Sequence, residues 1–327
     1  MKSAVSPGWD YTLCRSSDEV VKSLFTHSFA IIRVSDELKS LLQIAWLEAK
    51  DFFEKTSLTC KLNSRANKKG VGLLGWNEPS YAKEIFRCYD NGPLEQPWPN
   101  SKFQSASSRL AQKLYILLYK CFLDIKYHYQ TLSASSSFNN REPNRKKRKL
   151  LKTHYINEKT SQTNSIEYGA KFNLKMNDGT YVMPNSFENK SNLPYYSSCP
   201  LDYYYYHNRH KNIRVVNCSE HIDRGLLICI SLTDVIGLQV QSQSDQLWYI
   251  PEKISNSESL YNERLSGVDS GLLCIMVGDQ LQHTLSSLLH SHEMIDSSVP
   301  LPQPCRHSVK ETLTRARLSM SFELRGT

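Results

Sequence analysis

The sequence predicts a mainly β fold with some α structure, an antiparallel jelly-roll core behind a helical N-terminal layer. Two observations predict it. Helical periodicity is confined to the chain before about residue 130, and from about Tyr155 onward it gives way to short β-type runs separated by turn signals. Long helices followed by many short strands fit a helical layer packed on antiparallel sheets.

The first element is a strand, Phe29 to Val34, rich in apolar and β-branched residues. A helix follows, starting near Ser35 or Asp36, either of which caps free N–H groups. Its apolar face is Leu38, Leu41, Leu42, Ala45, Ala49, Phe52 and Phe53, recurring at three- and four-residue steps. Gly70 to Gly75 reads as turn-rich. The next residues, Trp76-Asn77-Glu78-Pro79, read as a turn that either lines a substrate entrance or packs as an ordinary loop. A second helix is expected from Ser107 to Tyr127, with a core-facing stripe of Leu110, Leu114, Leu117, Leu118, Cys121 and Ile125.

Composition changes at 133–150, where Ser, Asn and basic residues replace the apolar period and a surface loop is expected. The β-type runs are Gly179 to Met183, Tyr203 to Tyr206, Leu226 to Leu232, Gly237 to Val240, Leu247 to Ile250, Leu272 to Val277 and Arg317 to Leu324. One structural domain is expected, in three stretches: a helical and β layer (1–132), an insertion or loop carrying a basic run (133–195), and the jelly-roll core (196–327).

Composition excludes several function classes. The net charge of +8 comes largely from Arg145, Lys146, Lys147, Arg148, Lys149 and Lys152; without these six it falls to about +2. A generally basic, nucleic-acid-coating surface is therefore not indicated. The run itself reads either as an import signal or anionic-partner patch, docking a receptor or nucleic acid, or as a solvated loop. The nine cysteines are odd in number and include no Cys-x-x-Cys pair, so neither a disulfide framework nor a structural zinc site is expected. Most stand in apolar runs and read as reduced, buried side chains. The first residues carry no apolar signal core and no run is long enough to span a membrane. A soluble intracellular protein is expected, cytoplasmic, with the nucleus open to it if the basic run is an import signal.

The chemistry concentrates in the C-terminal half. In His221-Ile222-Asp223, an imidazole and a carboxylate at i and i+2 share one face if the segment is extended. Arg317-Leu318-Ser319 repeats the spacing in a strand-like run, and an arginine with a hydroxyl on one face forms a fork for a carboxylate. His307 lies ten residues before Arg317, a spacing that suits adjacent antiparallel strands. Tyr206, in the run Tyr203 to Tyr206, offers a phenol to complete the grip. Two histidines and one carboxylate on one face of a metal leave open positions, the ligand set of non-haem Fe(II) oxygenases.

Taken in order, His221-x-Asp223, His307 and Arg317-x-Ser319 resemble the motifs of the 2-oxoglutarate and Fe(II)-dependent oxygenases, in the isopenicillin N synthase-like group. Gly237-Leu238-Gln239-Val240 with Trp248, Val277-Gly278-Asp279-Gln280-Leu281, and the N-terminal stretches Phe29 to Phe53 and Lys83 to Phe86 resemble that group as well, so the likeness excludes only about 130–195. It implies a double-stranded β-helix fold. It implies iron held by His221, Asp223 and His307, and 2-oxoglutarate held by Arg317, Ser319 and Tyr206. With dioxygen as oxidant, the expected activity is oxidation, by default hydroxylation, of a small organic substrate.

Two departures stand out. Asp223 and His307 are 84 residues apart, longer than is usual for the group, and His283, His290 and His292 compete as the distal ligand. His307 is favoured because it alone keeps the spacing to Arg317. The group's Asn-x-Tyr-Pro pattern reads Tyr204-Tyr205-Tyr206-His207 here. Two rival readings share these motifs: an Fe(II) oxidase that takes no 2-oxoglutarate, and a catalytically silent binding protein on the same scaffold.

Overall fold

A computed structural model describes residues 13–68, 72–80, 82–89, 96–139, 180–181, 199–208, 217–253, 271–290, 300–311 and 315–326. The basic run Arg145 to Lys152 lies outside them, as do most of 133–195 and His292.

The chain opens with α1 (Ser17–His27), a helix not expected from the sequence. Its N-terminus is capped by the Ser16 hydroxyl, which accepts from the Glu19 N–H, and it ends where Ser28 turns left-handed at φ 70°. Only Val20, Val21 and Leu24 are buried, too short a stripe to stand out as periodic. Strand β1 (Phe29–Val34) and α2 (Asp36–Lys55) follow as expected, with Ser35 as the cap and the expected apolar face buried. After α3 (Leu58–Asn63) come β2 (Arg65–Lys68), β3 (Gly72–Ser80) and β4 (Lys83–Tyr89).

The two expected turns are instead a strand. From Gly72, the Gly70 to Gly75 stretch and Trp76-Asn77-Glu78-Pro79 are strand β3, paired on both sides with β2 and β4. Gly75 has φ +68°, and a Cβ there would sit 1.7 Å from the Ser64 carbonyl oxygen, so the glycine serves a close approach rather than a turn. Trp76 is 3% exposed and packs in the core, so it lines no entrance.

Helix α4 (Ser101–Asn139) is longer at both ends than the expected Ser107 to Tyr127. Asn100 starts it, its side-chain oxygen accepting from the Phe103 N–H at 2.8 Å. The remaining elements are β5 (Thr180–Tyr181), β6 (Pro200–Tyr206), β7 (Cys218–His221), β8 (Leu227–Ser231), β9 (Leu238–Gln241), β10 (Trp248–Tyr249), β11 (Leu272–Val277), α5 (Asp279–His290), β12 (His307–Val309) and β13 (Arg317–Leu324).

The strands form two sheets, one ordered β2-β3-β4-β6-β13-β8-β11-β1-β5 and one ordered β10-β9-β12-β7. Among the strands described, all pairings are antiparallel except β1 with β5. This is a jelly roll with a helical layer, as the sequence predicts. Strand alternation divides its core. Leu318, Met320 and Phe322 of β13, with Tyr203 and Tyr205 of β6, face the helices alongside Leu38, Leu42, Leu110 and Leu117. On the other face Tyr206, Ile228, Ile230, Cys274 and Met276 pack against Leu238, Val240 and Val309 of the small sheet. The catalytic candidates lie on this second face, between the two sheets. Among the described residues no helix is long and apolar enough to cross a membrane. All nine cysteines are free, and seven are buried.

Candidate metal and carboxylate site

His221 is the last residue of β7, and Asp223 follows it just beyond the strand. The i, i+2 pair therefore meets through the turn that leaves β7 rather than within one extended strand. His307 opens β12 and lies directly opposite His221 in the pairing of the two strands. The ring centroids are 4.2 Å apart. Asp223 stands between them: one carboxylate oxygen is 3.4 Å from His221 Nε2 and the other 3.4 Å from His307 Nε2. One ligand atom from each of the three residues lies within 4.8 Å of the other two, so all three can reach a single ion.

The far side of each ring fixes its orientation. His221 Nδ1 is 2.7 Å from the Ser219 carbonyl oxygen and His307 Nδ1 is 3.4 Å from that of Cys305. A carbonyl only accepts, so each Nδ1 donates and each Nε2 is turned toward Asp223, the arrangement found behind metal-binding histidines. Burial pushes the His307 imidazole below its ordinary value, which keeps its Nε2 lone pair available. His221 is pushed up to about 10, by its contact with Asp223 first and with Cys218 next. Burial opposes ionisation of Asp223, but His221 and His307 together hold it below the usual range. The donor set fits a divalent ion: it supplies one carboxylate and two imidazoles aimed at a common point, His221 releasing its Nε2 proton as the ion binds.

Arg317 and Ser319 line the same cavity as the triad, together with Tyr204, Tyr206, Cys218, Ile230 and others. Arg317 and Tyr206 are register partners on β13 and β6, and the guanidinium carbon lies 5.9 Å from the Tyr206 ring centre. All six residues expected from the sequence thus meet in one cavity. Of the rival distal ligands, His283 is exposed on α5. Nothing is described of the His290 side chain, and His292 falls outside the described residues.

Glu252 is a member of the site that the sequence did not reveal. It follows β10, is 0% exposed, and accepts from Arg317 Nη2 at 2.9 Å and from the Leu238 N–H at 3.2 Å. Arg317 Nε donates to the Val235 carbonyl at 3.1 Å. Burial raises the Glu252 carboxyl above its ordinary value, opposed by Arg317 beside it. Nothing in the sequence around Pro251-Glu252-Lys253 marks this residue, because a glutamate next to a lysine after a strand reads as exposed.

The sequence matches no protein-family model and no curated protein. Solved structures do match. An oxygenase-assigned protein of Shewanella oneidensis aligns at TM-score 0.55 and 16% identity, over 97% of this chain and 88% of that one. A Neurospora crassa protein solved with alpha-KG and 5-formyluracil aligns at TM-score 0.55 and 13% identity, over 94% of this chain and 77% of that one. The dioxygenase for auxin oxidation of Arabidopsis thaliana, bound to 2-oxoglutarate, aligns at TM-score 0.52 and 13% identity over 97% and 90%. This chain therefore shares the fold of these proteins.

Proposed function

We propose that the chain is a non-haem Fe(II) dioxygenase that couples oxidative decarboxylation of 2-oxoglutarate to oxidation, by default hydroxylation, of a small organic substrate. One observation carries this reading: His221, Asp223 and His307 converge in the cavity that Arg317 and Ser319 also line. The shared fold supports it, and structural neighbours are described with 2-oxoglutarate bound.

In this reading His221, Asp223 and His307 hold the iron, leaving its other positions to small ligands. Bound iron supplies the activation of dioxygen that amino-acid side chains cannot. The protein's own contribution is placement. Arg317 and Ser319 on one face of β13 grip the far carboxylate of 2-oxoglutarate by charge-assisted bonds, with Tyr206 beside them. Ile230, Leu238 and Val309 give that cavity an apolar wall, which keeps water away and strengthens each polar contact.

The test is anaerobic. Purified protein with Fe(II) and 2-oxoglutarate is expected to show a visible metal-to-ligand charge-transfer band, lost in His221→Ala and weakened in Arg317→Ala. A protein that holds iron but shows no band takes no 2-oxoglutarate and is better read as an oxidase. A folded protein that holds no iron overturns the oxygenase reading.

A further inference from the structure

Arg317 reaches the cavity already partnered. Its Nη2 donates to Glu252 at 2.9 Å, and the two side chains are 1% and 0% exposed. Burial makes the balance of charge decisive here, since buried charges are screened far less than exposed ones. A lone buried guanidinium would attract any incoming carboxylate strongly. Paired with Glu252, the same guanidinium meets a ligand as half of a neutral couple, and the ligand's charge also meets that of Glu252.

We propose that Glu252 is the resident counter-ion of this carboxylate grip, a positioning residue that aims Arg317 and sets how tightly the cavity holds the far end of a dicarboxylic oxo-acid. This rests on the preceding reading that 2-oxoglutarate enters here. The geometry separates the two parts of the role. Glu252 Oε1 receives both Arg317 Nη2 and the Leu238 N–H. A glutamine keeps an amide oxygen for both donors, removes the charge and places an NH2 where Oε2 stood. Glu252→Gln therefore keeps the aim of Arg317 and unmasks it, so that a bound carboxylate takes over as counter-ion.

The experiment is calorimetric titration of the Mn(II)-loaded full chain with 2-oxoglutarate and with 2-oxoglutaramate, its uncharged far-end amide. Wild type is expected to prefer the acid over the amide by less than about tenfold, because the couple is neutral. Glu252→Gln is expected to bind the acid about tenfold or more tightly than wild type, with the amide nearly unchanged. Glu252→Asp, which restores the charge, is expected to return the acid to weak binding. Melting of the Glu252→Gln protein gives a second readout: a lower midpoint alone, and a larger rise on adding 2-oxoglutarate than wild type shows. Weakened or unchanged binding of the acid by a folded Glu252→Gln protein overturns the counter-ion role and leaves the co-substrate reading standing. Failure of both proteins to bind 2-oxoglutarate while holding Mn(II) overturns the co-substrate reading, and the role of Glu252 with it.

Discussion

His221 and His307 face one another across the β7–β12 pairing, their ring centroids 4.2 Å apart, with the Asp223 carboxylate spanning both Nε2 atoms at 3.4 Å. Residues 86 positions apart are thus locked together by strand register. Replacing either histidine by alanine removes a donor without disturbing the pairing. Because loss of a residue that merely supports a ligand costs about 10–100-fold in metal affinity, loss of a ligand is expected to cost at least about a hundredfold. Titration of each variant with Mn(II), with circular dichroism to confirm folding, checks this. Unchanged affinity in His307→Ala would remove His307 from the triad.

The loop that carries Asp223 is held from behind. The Asp279 N–H donates to the Asp223 carbonyl at 2.9 Å, and the Gly278 N–H donates to that of Leu226 at 3.0 Å. A Cβ on Gly278 would lie 2.0 Å from the Gly225 carbonyl oxygen, a backbone atom that cannot swing aside. Gly278→Ala is expected to push the 223–225 turn away and weaken Mn(II) binding about tenfold or more, although residue 278 touches no ligand. A lowered melting midpoint should accompany it. An unperturbed Mn(II) affinity would show that Asp223 is positioned without this support.

How much of this site was legible follows from which residues carry local signals. His221-x-Asp223 and Arg317-x-Ser319 are two-residue spacings and survive in a linear reading; the ten residues from His307 to Arg317, expected to join adjacent strands, instead carry the chain from the small sheet to the large one, where β12 and β13 do not pair. Glu252 does not survive in a linear reading, because its burial depends on β13 bringing Arg317 to it from 65 positions away. The same distinction explains the fold. The long stripes of α2 and α4 were visible, whereas α1 and α5 bury few described side chains, and β3 was hidden by a glycine that serves packing. Trp76, read as a turn residue, has its place because its indole N–H finds Glu84, on a strand it pairs with.

That glutamate anchors a second buried network. Glu84 receives Lys61 Nζ and Trp76 Nε1 at 2.7 Å each and lies 3.0 Å from His207 Nε2, tying α3, β3 and β4 together. Burial works against its ionisation, but the hydrogen bonds from His207, Lys61 and Trp76 outweigh burial and bring the carboxyl down to about 2 from 4.5. A depressed folded-state value stabilises the protein above the unfolded value, so this contribution is full above about pH 4.5 and fades as pH falls toward 2. Glu84→Gln leaves the Lys61 ammonium buried without its carboxylate and is expected to cost about 3–5 kcal/mol near neutral pH. Denaturant titrations at a series of pH values should show that loss shrinking between pH 4.5 and 2. A constant difference across that range would mean that Glu84 contributes by packing alone.

The Tyr206 hydroxyl is the remaining member of the proposed grip. The residue is 3% exposed, lines the cavity beside Arg317 and Ser319, and stacks on Tyr204 with the rings 12° apart. Burial pushes its phenol well above the ordinary value, so it is a donor at any working pH. Tyr206→Phe keeps the ring that packs under the guanidinium and removes only that donor. A hydrogen bond to a charged group contributes about 1.5–3 kcal/mol, so 2-oxoglutarate affinity is expected to fall about tenfold or more. Mn(II) affinity should be unchanged, since Tyr206 is not among the three residues whose ligand atoms converge. Equal affinity for 2-oxoglutarate in the variant would reduce Tyr206 to a packing residue and leave the grip to Arg317 and Ser319.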